Sequence, residues 1–143
     1  MKLFNILEFI YSHPLNADNK FGGIMKFIKW QINGHLNPYP ILYPFTEHSK
    51  FIIWKGLPAG TGNLYCGLME YEEMAFLLHF LRPEDLFIDI GSNVGSFTIL
   101  ASAEVQATTI AIEPVPSTYK YLNDNIVVNQ MQHKLNELWI GNP

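Results

Sequence analysis

Residues 87–99 read FIDIGSNVGSFTI. An apolar run carrying Asp89 ends at Gly91, and a second glycine, Gly95, follows four positions later. This is the pattern of a buried strand running into a turn and then a helix. Gly91 suits a tight turn whose backbone comes close to a ligand, and Gly95 lets the helix start lie near the strand. At the carboxyl end of a parallel strand, outward-facing amides and the positive end of the helix dipole gather ligands. Asp89 is expected beside whatever binds there.

Reading outward, the chain alternates strand and helix signals. A strand is predicted at 86–90, a turn at 91–95 and a helix at about 95–104. A second strand follows at about 108–112, then a helix over about 117–129 with Ser117 as N-cap. The order β, α, β, α implies a parallel sheet with right-handed crossovers. Upstream, Met74, Leu77, Leu78 and Leu81 recur at helical spacing, so residues 63–81 are expected as one helix after a loop at 57–62. In NPYPILYPFTEHSKFIIWKG, residues 37–56, prolines act as punctuation and two short apolar runs flank Glu47, His48 and Ser49, which is a hairpin signal. Before it, 3–12 and 18–32 read as helices of an N-terminal extension, the second with Phe21, Ile24, Met25, Phe27, Ile28 and Ile32 as its apolar face.

The totals narrow the class. The chain has 143 residues, 48% hydrophobic and 15% charged, enough for one domain with its own core. Net charge is -4 and the basic residues are scattered, which argues against a face that tracks phosphates, and so against nucleic acid. No apolar run nears the roughly 18 residues of a membrane span. A single cysteine, Cys66, rules out an internal disulfide and suits a reducing cytoplasm. The start, MKLFNILEFIYSHP, reads as an amphipathic helix interrupted by Glu8, with a degenerate signal as the alternative. The five histidines lack metal-ligand spacing, and no metal is expected.

Spacing also selects the ligand. A dinucleotide site wants G-x-G-x-x-G, whereas the stretch from Gly91 has Asn93 at the second glycine position and Ser96 at the third. That argues against an NAD-dependent oxidoreductase. The second strand, TTIAIEP, ends in Glu113, 24 positions beyond Asp89. An acid at the tip of the next parallel strand is placed to hold both hydroxyls of a ribose, which fits an adenosine-type ligand.

Together, LFIDIGSNVGSFTILAS and TTIAIEPVPSTYKYLNDNIVVN resemble the first two motifs of class I S-adenosylmethionine-dependent methyltransferases, and more narrowly those of the FkbM family. The upstream GTGNLYCGLMEYEEMAFLLHFLRPEDLF resembles the entry to that domain. The likeness covers roughly residues 50–130, with Ser92 where alanine is commoner. It implies a Rossmann-like α/β core of parallel strands, S-adenosylmethionine as cofactor, and Asp89, Gly91, Ser92, Asn93 and Gly95 lining the methionine and ribose side. It further implies Glu113 on the ribose, and Asn63, Tyr65 and Glu70 closing the pocket from the other side. The implied reaction is methylation of a hydroxyl on a sugar or other small metabolite, with no catalytic base assignable.

The fold needs about seven strands, and only two are clear here, with LNELWIGNP as a possible third. The expectation is therefore an N-terminal helical extension and start of hairpin at 1–49, and the first half of a cofactor-binding domain at 50–143, truncated after about the third strand. The competing reading is a non-catalytic remnant or interaction domain that keeps this half.

Overall fold

The computed structural model describes residues 3–131 and 135–138. Two helices open the chain, α1 (Leu3–Ser12) and α2 (Lys20–Leu36), with a 3-10 turn at Pro14–Asn16 between them. Strands β1 (Ile41–Pro44) and β2 (Lys50–Ile53) pair antiparallel, with Ile41 opposite Ile53 and Pro44 opposite Lys50. Helices α3 (Pro58–Cys66) and α4 (Tyr71–Phe80) lead to β3 (Leu86–Ile90). After the glycine turn come α5 (Ser96–Ile99), continued by wider π turns at Leu100–Glu104, then β4 (Thr108–Ile112), α6 (Pro116–Val128) and β5 (Leu135–Leu138).

β3, β4 and β5 form a parallel sheet in that spatial order, Leu86 lying opposite Thr108 and Thr109 opposite Leu135. Both expected core strands are present with the expected bounds, and the start of LNELWIGNP forms the third. Residues 139–143, and His133, lie outside the described residues.

Four expectations need correction. The helix expected over 63–81 is broken at Gly67, whose φ of 86° is left-handed, and its first part starts at Pro58 inside the expected loop. Proline is well placed in a first helical turn, where its missing N–H costs nothing. The last helix begins at Pro116 with Val115 as N-cap, so Ser117 lies inside it. The orphan amide of Val115 is met instead by Glu113 Oε1 at 2.8 Å. The 18–32 helix runs to Leu36, and its buried face is Gly23, Phe27 and Trp30, leaving Phe21 and Ile32 exposed. Finally, the helix after the glycine turn is α-helical only to Ile99, before the N–H of Val105 reaches back five residues to Leu100.

One core runs through the chain, from Ile10, Phe27 and Trp30 through Phe51 and Ile53 to Ile99, Leu122 and Ile126. Asparagines stitch the hairpin to the sheet layer. Fully buried Asn125 accepts from the Ile52 amide at 2.7 Å and donates to the Val94 carbonyl at 2.9 Å. One turn later, Asn129 accepts from the Lys50 amide and donates to its carbonyl, so its side chain imitates a strand partner. The parallel sheet buries Thr109 and Ala111 on one face, while Leu86, Ile88 and Ile90 on the other are 56%, 51% and 78% exposed.

Candidate functional site: the glycine turn after β3

The turn from Gly91 to Gly95 folds back on β4. The amides of Gly91 and Ser92 both donate to the Ile112 carbonyl, at 2.8 and 3.1 Å, and the Gly95 amide donates to the Ser92 carbonyl. Three residues adopt left-handed backbone: Gly91 at φ 78°, Asn93 at 51° and Gly95 at 94°. The two glycines differ in what surrounds them. A Cβ on Gly95 would come within 2.7 Å of Leu122 Cδ1 on α6, so this position is small to let the turn seat on the helix. A Cβ on Gly91 would meet nothing within 4 Å, so the backbone there faces open space.

That space is a cavity of about 250 Å3. Asp89, Gly91, Ser92 and Asn93 form one side, and Asn63 and Glu70, from α3 and the segment before α4, form the other. Six of the nine expected site residues are thus brought together across some 20 positions of intervening chain. Asn63 is completely buried and holds the two sides in register: its Oδ1 accepts from the Met69 amide at 2.8 Å, and its Nδ2 donates to Ser96 Oγ at 3.1 Å. Met69, Met74, Val94, Ser96 and Phe97, which the motif pattern does not single out, complete the lining. The other three expected residues stand elsewhere. Tyr65, two positions from Asn63, lines a different cavity. Gly95 lies behind the turn against Leu122. Glu113 is buried behind the turn, its Oε2 accepting from the Asn93 amide at 2.8 Å while Oε1 takes the Val115 amide.

Two features make the cavity fit for a cationic, hydrogen-bonding ligand. Among the described residues no basic side chain lines it, whereas Asp89 and Glu70 both do. Asp89 is largely withdrawn from water: burial raises its carboxyl above the ordinary range, opposed by hydrogen bonds from Thr98, whose hydroxyl donates to Oδ2 at 2.5 Å. Nearby Glu113 adds a smaller upward push. In addition, the Ser92 hydroxyl is buried with no hydrogen-bond partner among the described residues. A buried orphan of this kind costs about 1–3 kcal/mol, which a ligand group could recover. Among the described residues no cluster of His, Cys, Asp and Glu could hold a metal ion, and no helix is long and apolar enough to cross a membrane.

No protein-family model matches the chain, and no curated protein matches it. Solved structures do. The chain superposes on Pyrococcus horikoshii TYW2 in complex with MeSAdo with a TM-score of 0.57 at 15% identity, covering 90% of this chain and 50% of that one. It superposes on M. jannaschii TYW2 in complex with AdoMet with a TM-score of 0.56 at 19% identity, covering 72% and 44%. The fold is that of the Rossmann-like methyltransferases. This chain spans half or less of the length of those two structures.

Proposed function

We propose that the cavity at the glycine turn binds S-adenosylmethionine and that the chain is the cofactor-binding part of a methyltransferase acting on a hydroxyl of a sugar or other small metabolite, as its likeness to the FkbM motifs implies. The observation that carries this is the acid-lined cavity at the tip of β3, with the hydroxyl of its lining residue Ser92 unpartnered among the described residues. When bound, the cofactor supplies a sulfonium methyl: the S–C bond breaks with its electrons staying on sulfur, a C–O bond forms, and the hydroxyl proton leaves to solvent. Asp89 and Glu70 would hold the positive end of the cofactor, and Ser92 and the exposed backbone at Gly91 its polar groups. Glu113 acts on this reading by fixing the Asn93 amide, and through it the shape of the turn. The uncovered face of β3 and the length of the similar structures support a further layer of the same domain packing on Leu86, Ile88 and Ile90.

The test is calorimetric titration with S-adenosylmethionine and S-adenosylhomocysteine. Binding that Asp89→Asn weakens at least about tenfold without unfolding the chain supports the reading. Absence of binding by a folded chain turns it toward a domain that keeps the fold without the chemistry.

A further inference from the structure

The N-terminal helices enclose a second cavity, of about 680 Å3, that cofactor binding leaves unused. Its size falls within the ~300–1,000 Å3 of small-molecule sites. Phe9 on α1, Phe27 and Trp30 on α2, and Leu57 and Tyr65 at and within α3 give it largely aromatic walls. Four polar side chains, Gln31, Lys55, Thr61 and Tyr65, break that surface. The Tyr65 hydroxyl bonds to Thr61 and Gln31, and burial raises its pKa, so it stays a neutral donor. On the rim, exposed Lys55 contributes the cavity's one cationic side chain among the described residues, its Nζ 3.1 Å from His35 Nδ1. Among the described residues no carboxylate lines the cavity.

The two cavities have one lining residue in common among the described residues. Met69 lines both, lying over Gly62, where any Cβ would collide with its sulfur. Its backbone is pinned by the bond to Asn63 Oδ1, but the side chain is unbranched with three rotatable bonds, the kind that yields to a neighbour.

We infer that this cavity is the acceptor pocket, and that the acceptor is a mostly apolar aromatic or acyl molecule with an anionic group placed against Lys55. The inference rests on the methyl-transfer reading of the adjoining site, and it narrows the acceptor away from a bare sugar. A sugar would bring many hydroxyls against largely apolar walls on which Thr61 and Gln31 are already bonded to Tyr65, and each unpaired group costs about 1–3 kcal/mol. An aromatic carboxylate instead loses only apolar surface to the walls and keeps its charge at the solvent-facing rim.

The experiment uses the whole 143-residue chain with the naphthoate anion as probe, its neutral amide and glucose as controls, and tryptophan emission as readout, since Trp30 is on the wall. With S-adenosylhomocysteine present, naphthoate should bind saturably, about tenfold tighter than either control. Ile6→Trp, which adds an indole from the α1 side, should abolish naphthoate binding while leaving S-adenosylhomocysteine binding intact. Lys55→Gln, at an exposed position, should reduce naphthoate to the level of the amide. Magnetisation transfer between the two bound ligands should be seen past Met69. No saturable binding, binding unchanged by either variant, or glucose binding as tightly would overturn the proposal. Naphthoate binding without any S-adenosylhomocysteine binding would instead leave a ligand cavity and sink the methyl-transfer reading on which the acceptor role depends.

Discussion

Glu113 at the end of β4 accepts a hydrogen bond from the backbone amide of Asn93 at 2.8 Å, joining the tips of the two core strands behind the glycine turn. Asn93 is itself in left-handed backbone, so the carboxylate holds in place a conformation that a non-glycine residue seldom adopts. Glu113→Gln must turn its NH2 group toward one of the two amides the carboxylate now serves. The expected cost is about 1–3 kcal/mol in urea unfolding, with cofactor affinity falling as well. An unchanged midpoint would show that the turn does not depend on this brace.

Asp89 should trade stability for binding. Its folded pKa lies above the unfolded value of 3.8, chiefly because of burial. An acid shifted upward contributes stability that is complete below the unfolded pKa and is lost as pH rises through the folded one. Asp89→Asn keeps an acceptor for Thr98 and removes the buried charge. The variant should therefore melt higher than the parent at pH 7, with the gain shrinking as pH falls through the raised folded pKa and gone below 3.8, while losing cofactor binding. A lower melting temperature at pH 7 would contradict this account of the carboxyl.

The two glycines of the turn should respond differently to alanine. At Gly95 the left-handed backbone costs about 1–2 kcal/mol, and the collision with Leu122 adds to it. At Gly91 only the backbone term applies, since nothing lies within 4 Å of the new methyl group. Gly91→Ala should thus be the milder of the two in thermal denaturation and the more selective against ligand binding. Equal losses of stability would mean that packing at Gly95 is looser than the distance implies.

Asn125→Ala strands the Ile52 amide and the Val94 carbonyl together. At about 1–3 kcal/mol for each buried orphan, the expected loss is about 2–6 kcal/mol, read from chemical denaturation. Asn125→Asp should rescue little, because a carboxylate still serves the amide but faces the carbonyl without a donor. A near-neutral alanine variant would mean that water replaces the side chain.

Cys66 should be inert while the chain is folded. Burial raises its thiol to about 11, outweighing a hydrogen bond from Asn16 and the positive charge of Lys26. At pH 8 only about one thiol in a thousand would be ionised. Alkylation by iodoacetamide should be slow in buffer and fast in guanidinium; comparable rates would show that the α2–α3 interface opens readily.

The amino-acid pattern alone determined the elements whose signal is local. The β3 run, the positions of Gly91 and Gly95, and the alternation of strand with helix are set by side-chain period and backbone sterics over a few residues, and the structure places both core strands as expected. The helical spacing of Met74 and Leu77 marked the buried face of α4, but it could not show that Gly67 breaks the helix before it. Which side chains share a cavity was decided only by the tertiary structure. Asn63 and Tyr65 are two positions apart, about 200° around a helix, so one meets the glycine turn while the other faces the N-terminal helices. Glu113 shows the same limit from the other side. Its place at a strand tip is legible from spacing, but the amides that claim its oxygens belong to a turn 20 residues away and to the next helix, and only folding brings them there.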